Sequence, residues 1–258
     1  MTEIDLSAKR RKLLLKWGVI GTGWIALYLL GFIYLIDKRP FVEWALIKSG
    51  PQETKAEAQL IKMPDGQVFL MGAGDAEGSL LPYLKKQKIK DIDKLILASS
   101  QPYFTSGLKE MLGVGVRIKE VLVPSNSLKS KGWTEIEAQL KNKGLVLSPI
   151  NLSQPLFQKD STRLEAIASD GDSLALRLVH GKNSLVVGLG DPSLIGLQIA
   201  KLNCQSLKTD LLINYTESKN NEPYLNWVGC LKPERDLSIE KGTFKILLKG
   251  DSFKLKRR

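Results

Sequence analysis

A layered α/β domain, with helices outside packed sheets and one membrane helix in front, is the architecture this sequence predicts. Three observations predict it. Residues 17–35 form a run without a single charge. Behind that run, short apolar segments alternate with amphipathic segments at helical spacing. The second half then repeats this texture, so two β-rich halves each carry helices between strands.

The uncharged run comes first. At 1.5 Å per residue its helix covers roughly 28 Å, close to the thickness of a bilayer's hydrocarbon core. Lys9, Arg10, Arg11, Lys12 and Lys16 precede it, and Asp37, Lys38 and Arg39 follow. The basic excess on the N-terminal side favours a cytoplasmic N-terminus. Trp17 and Tyr34 sit where interfacial anchors are expected. A cleaved signal peptide would end in a small-residue site, whereas this run ends Tyr34-Leu35-Ile36-Asp37-Lys38-Arg39-Pro40. The expected order is a basic cytoplasmic N-terminus at 1–16 and a transmembrane helix at 17–36. A linker with room for a first strand follows at 37–57, and then the main domain at 58–258. The corresponding location is a single-pass inner-membrane protein whose main domain is periplasmic.

The remaining elements follow in order. Ala58–Met63 and Gln67–Met71 are strands around the turn Pro64-Asp65-Gly66. Gly72–Gly78 is a glycine-rich loop. Ser79–Gln87 has helical spacing, and Lys94–Ala98 is a short buried strand. Phe104–Leu112 fits a helix closed by Gly113. Lys119–Val123 is a strand stopped by Pro124. Leu128–Asn142 is an amphipathic helix with Trp133, Ile136 and Leu140 on one stripe, and Gly144 caps it. Leu145–Leu147 begins another strand. Strands follow at Arg163–Ala168, Ser173–His180, Ser184–Leu189 and Thr209–Ile213. Helices are expected at Pro192–Leu202 and Pro223–Val228, and a closing hairpin at Thr243–Leu248 and Ser252–Lys256.

Composition bounds the function classes. Lys and Arg number 38 against 27 Asp and Glu, a net charge of +11, which suits an anionic lipid surface, nucleic acid or merely a solvated face. The two cysteines, Cys204 and Cys230, lack zinc spacing. In an oxidising compartment they could pair as a disulfide, and two unrelated buried thiols fit equally well. His180 is the only histidine, so neither a His-rich dinuclear centre nor a Ser-His-Asp site is expected. Its place at a strand end fits packing.

Several strings resemble the C-terminal metallo-β-lactamase-like domain of the competence protein ComEC. Ile61-Lys62-Met63-Pro64-Asp65-Gly66-Gln67-Val68-Phe69-Leu70-Met71-Gly72-Ala73-Gly74 parallels its two strands around a Pro-Asp-Gly turn, the second ending in Ile-Asp-Thr-Gly. Leu80-Leu81-Pro82-Tyr83-Leu84 is similar to its next helix. Ile89–Leu97, Val121–Pro124, Ser173–Leu178, Ser184–Asp191 and Gly242–Lys254 follow in the same order. The resemblance implies an αββα metallo-β-lactamase-like sandwich.

It also implies where a metal would sit, and there the sequence departs. The family's His-x-His-x-Asp-His positions hold Ser99, Gln101, Tyr103 and Phe104. Its later His-His-Gly-Ser position reads Asn214-Tyr215-Thr216-Glu217, and the aspartate of Ile-Asp-Thr-Gly is Gly72. Asp191 alone keeps a carboxylate, and before Pro192 it also reads as a plain helix N-cap. One carboxylate cannot hold a metal pair. No cofactor is therefore expected. Ser99, Ser100 and Gln101 line the former floor, with Asp75 and Glu77 in the loop at its rim. Three readings of function follow. The first is a membrane-anchored pseudoenzyme that binds a membrane protein partner. The second is a nucleic-acid-binding accessory of DNA uptake, and the third a hydrolase with an unrecognised site.

Overall fold

The computed structural model of the chain describes residues 23–25, 27–29, 31, 41–48, 57–74, 78–125, 128, 131–190, 211–214, 235–238, 244–249 and 252–257. Residues 1–40 and 41–258 form two separate units. In the first, the described residues are helical and expose Trp24, Ile25, Leu27, Tyr28 and Leu29. Among the described residues no helix is long and apolar enough to cross a membrane. The rest of the expected span at 17–36 lies outside them.

In the second unit, β1 (Phe41–Lys48), β2 (Glu57–Lys62) and β3 (Val68–Met71) form a meander. Its second turn closes as Gly66 takes a φ of +91° and Met63 donates its N–H to the Gln67 carbonyl at 2.8 Å. Helices then alternate with parallel strands: α1 (Leu80–Lys86), β4 (Asp91–Ile96), α2 (Pro102–Thr105), α3 (Gly107–Gly113), β5 (Arg117–Pro124), α4 (Lys131–Lys141) and β6 (Leu147–Ile150). Next come β7 (Pro155–Lys159), β8 (Thr162–Asp170), β9 (Ser173–His180), β10 (Asn183–Gly190), β11 (Leu211–Asn214) and β12 (Arg235–Ser238). The hairpin of β13 (Phe244–Lys249) and β14 (Ser252–Arg257) closes the chain.

Two sheets result. The eight-stranded one runs β14-β13-β1-β2-β3-β4-β5-β6, and the six-stranded one β12-β11-β10-β9-β8-β7. Strand alternation sorts the side chains into two cores. Trp44, Phe69, Met71, Phe104, Phe157 and Leu176 fill the space between the sheets. Leu60, Leu70, Leu84, Leu108, Trp133 and Leu140 lie between the larger sheet and its helices. Burial of this kind stabilises by about 1.5–3 kcal/mol per large side chain. A helix layer on two stacked sheets is the expected α/β sandwich, and the helix expected at Pro192–Leu202 lies outside the described residues.

Three elements differ from the expectation, and the stretch read as a linker with room for a first strand holds β1, an interior strand between β13 and β2. Its apolar pattern is broken by Glu43, which is tolerated inside because Lys245 of β13 pairs with it. The single helix expected at Phe104–Leu112 starts at Pro102 and breaks at Ser106 into α2 and α3. Two short strands, β7 and β12, were not anticipated. Each pairs with one neighbour at a sheet edge and so lacks the apolar run of a central strand.

Candidate functional site

β3, β4, β5 and β6 are mutually parallel, so their C-terminal ends lie along one edge of the larger sheet. Loops at such ends are where α/β folds build sites. Here the loop after β3 is stitched down by its backbone. Gly72 donates to the Ile96 carbonyl at 2.9 Å, Ala73 to the Phe104 carbonyl at 2.6 Å, and Gly107 to the Gly74 carbonyl at 3.0 Å. Gly72 and Gly74 take φ values of +70° and +64°. The position where the resemblance puts an aspartate is thus in a conformation that strains any side chain.

The expected floor residues follow β4. Ser99 is fully buried, and its Oγ accepts the Gln101 N–H at 3.1 Å. That local bond closes the turn ahead of α2. Gln101 is the exposed residue capping α2, with Pro102 at the first helical position. Its carbonyl accepts the Phe104 N–H at 2.9 Å and the Thr105 hydroxyl at 3.1 Å. Tyr103 is half-buried and meets Phe104 edge to face, ring centres 5.4 Å apart. Phe104 is fully buried in the core between the sheets.

The second sheet contributes a group that the sequence did not single out. Asp172, in the turn between β8 and β9, accepts the Ser100 N–H at 3.4 Å. A glycine packs tightly against each partner, Gly190 beside Asp172 within the smaller sheet and Gly132 beside Ser100. A Cβ on Gly190, whose φ is +87°, would lie 2.2 Å from the Asp172 carbonyl oxygen. A Cβ on Gly132, in the first turn of α4, would lie 2.5 Å from Ser100 Oγ. Ser100 and Asp172 lie 72 residues apart in the chain, so no local pattern signals their approach.

Other expected residues fall elsewhere. Asn214 ends β11, level with Ser238 of β12. His180 is at the far end of β9 from Asp172. It is buried, with Nδ1 2.7 Å from the Thr162 hydroxyl across the strand pair, which suits the packing role. Asp75, Glu77, Asp191, Cys204 and Cys230 lie outside the described residues.

With the geometry in place, the chain can be set beside solved structures. It is similar to the short form of human tRNase Z, with a TM-score of 0.51 and 17% identity over 75% of this chain and 90% of that one. That likeness shows the fold alone: the chain has the metallo-β-lactamase fold. Similar too are a diphosphatase of the PhnP family (TM-score 0.47, 11% identity, 76% and 85% covered) and the metallo-β-lactamase fold protein YhfI from Bacillus subtilis (0.47, 11%, 78% and 79%). No protein-family model and no curated protein matches the sequence.

The fold's name raises the question of a metal, and the described residues do not fit one. A site for zinc or a related ion needs imidazole, thiolate or carboxylate donors converging on a point. Ser99 spends its hydroxyl on a turn, Gln101 faces solvent, Phe104 has no donor, and Tyr103 packs on the core. Among the described residues, no three His, Cys, Asp or Glu side chains form a group able to hold an ion. No chemical step is therefore routed through a metal.

Proposed function

We propose that this chain is a membrane-anchored, non-catalytic member of the metallo-β-lactamase fold that resembles the ComEC C-terminal domain in sequence. In this reading it acts as a binding or structural subunit of a membrane complex. One observation carries the reading. Phe104, at the position where the resemblance puts a ligand histidine, is a fully buried core side chain whose carbonyl also secures the loop after β3. A phenyl ring committed to the core offers neither a donor nor space for an ion. The anchor is supported by the uncharged run at 17–35 and the basic residues before it. The fold alone does not specify activity; the residues at the site do.

The test uses the full-length chain purified in detergent. It should show no hydrolysis of a phosphodiester reporter or of single-stranded DNA above a mock preparation. Membranes washed in alkaline carbonate should retain it, and a reporter fused after Arg258 should be active only outside the cytoplasm. Turnover that persists through repeated purification and is lost in Ser99→Ala or Asp172→Asn would establish a hydrolase instead. A fully extractable chain would remove the anchor from the reading.

A further inference from the structure

We propose that the opposite edge of the larger sheet is a docking surface for an anionic bilayer, holding the domain against the membrane that its N-terminal segment enters. The inference rests on the membrane-anchored reading above, and its evidence lies within the domain itself.

Parallel strands with helical crossovers bring all three helix-to-strand loops to one edge. Their sequences are Gln87-Lys88-Ile89-Lys90, Val114-Gly115-Val116 and Asn142-Lys143-Gly144-Leu145-Val146. Every loop presents an aliphatic side chain, and cations lie in or beside each. Val114 and Val146 are among the most exposed large apolar residues in the domain, at 66% and 71%. A groove of about 1200 Å³ runs between the first two loops, with Leu81, Leu84, Ile89 and Val116 along it and Lys85, Lys88 and Lys90 at its side; none of its lining residues is acidic.

The cations divide into two kinds. Arg117 and Lys119 are committed to Asp91 and Asp93, at 2.5 and 2.6 Å. No ion pair among the described residues engages Lys85, Lys86, Lys88 or Lys90. Lys88 is held at φ +55°. It is the left-handed residue closing α1, with the Ile89 N–H on the Leu84 carbonyl at 2.9 Å. The same closure at α3 and α4 uses Gly115 and Gly144, at φ +79° and +70°. A lysine where its two counterparts are glycine is retained against backbone preference, at the centre of the cationic edge.

The chain's own path supplies the occupant. β1 runs parallel to β3, by way of the antiparallel β2, so Phe41 lies at this same edge beside the Pro64-Asp65-Gly66 turn. The chain reaches Phe41 from the apolar run at 17–35. Exposed aliphatics interleaved with lysines suit the headgroup region of an anionic leaflet, where each cation adds attraction and each aliphatic side chain partitions inward.

The test places a photoreactive benzoylphenylalanine at position 114, or at position 152 on the opposite edge, where Leu152 is also exposed. The full-length chain is reconstituted in nanodiscs of phosphatidylcholine alone or with about 30% phosphatidylglycerol. Lipid adducts at 114 are expected to exceed those at 152 by about tenfold with the anionic lipid, and to fall several-fold in Lys88→Glu/Lys90→Glu. Equal labelling at the two positions, or labelling indifferent to lipid charge and to the reversal, would overturn the proposal. So would displacement of the lipid adducts by single-stranded DNA or an acidic protein, which would assign the edge to that partner. Should alkaline carbonate extract the chain, the anchor reading fails separately. The same full-length chain is then sedimented with phosphatidylglycerol vesicles. Binding lost on Lys88→Glu/Lys90→Glu supports the edge, and no binding overturns it.

Discussion

The two edges of the larger sheet are built on opposite terms. At the C-terminal edge of the parallel strands, polar groups are short and spent locally. Ser99 closes a turn, the Ser100 N–H meets Asp172, and Phe104 is sunk in the core. At the N-terminal edge, long cations and exposed valines stand outward beside two ion pairs. In α/β folds the first edge is where ligands ordinarily bind. Among the described residues it is consolidated with core-like packing, and Lys85, Lys86, Lys88 and Lys90, which join no ion pair among them, lie at the other.

The largest effect expected from breaking this contrast is at Phe104. Phe104→Ala should lower unfolding free energy by about 3–5 kcal/mol, read by denaturant titration of the detergent-solubilised chain. A loss below about 1 kcal/mol would mean that the ring is not a core element. Gly190→Ala comes next, at about 2–3 kcal/mol. The new methyl meets the Asp172 carbonyl, and the φ of +87° strains any side chain. Neutral behaviour there would show that the β8–β9 turn does not press so closely on Gly190 of the neighbouring strand β10.

Changes at the opposite edge should be smaller. Burial would raise the Asp93 carboxyl, but hydrogen bonds from Lys119 at 2.6 Å and from the Val68 N–H at 2.7 Å outweigh it. The Arg117 side chain holds Asp91 below the ordinary value, with its Nε and Nη2 donating at 2.5 and 2.8 Å. Groups depressed in the folded state contribute stability above their unfolded pKa and lose it as pH falls through the folded one. Stability should therefore decline as pH falls below 3.8, the ordinary carboxylate value. Asp91→Asn/Asp93→Asn should flatten that decline, read as a smaller change in thermal midpoint between about pH 6 and pH 3 than in the parent chain. The smallest effect has the opposite sign. Lys88→Gly should raise stability by up to about 1 kcal/mol by relieving the left-handed backbone, while weakening lipid contact.

Much of the fold was legible because its elements announce themselves by period. Trp133, Ile136 and Leu140 recur at helical spacing and do pack together on the larger sheet. β1 was legible only as room for a first strand, because an interior glutamate is admissible only when Lys245 arrives from the far end of the chain. The candidate site was legible as a set of positions after β4, through resemblance and counting. The approach of Ser100 to Asp172 was not, since nothing local to either residue signals the other. The cationic edge was hidden for a related reason. Its three loops read separately as ordinary helix ends, and only the parallel topology lines them up.

The central claim is that the position where the resemblance puts a metal ligand is filled by the buried Phe104 ring. Elemental analysis of the full-length chain, purified after growth with zinc, manganese and iron and passed over a desalting column, tests it most directly. The account predicts metal well below one ion per chain, unchanged in Asp191→Ala. Stoichiometric metal that survives desalting and is lost in Asp191→Ala would contradict it.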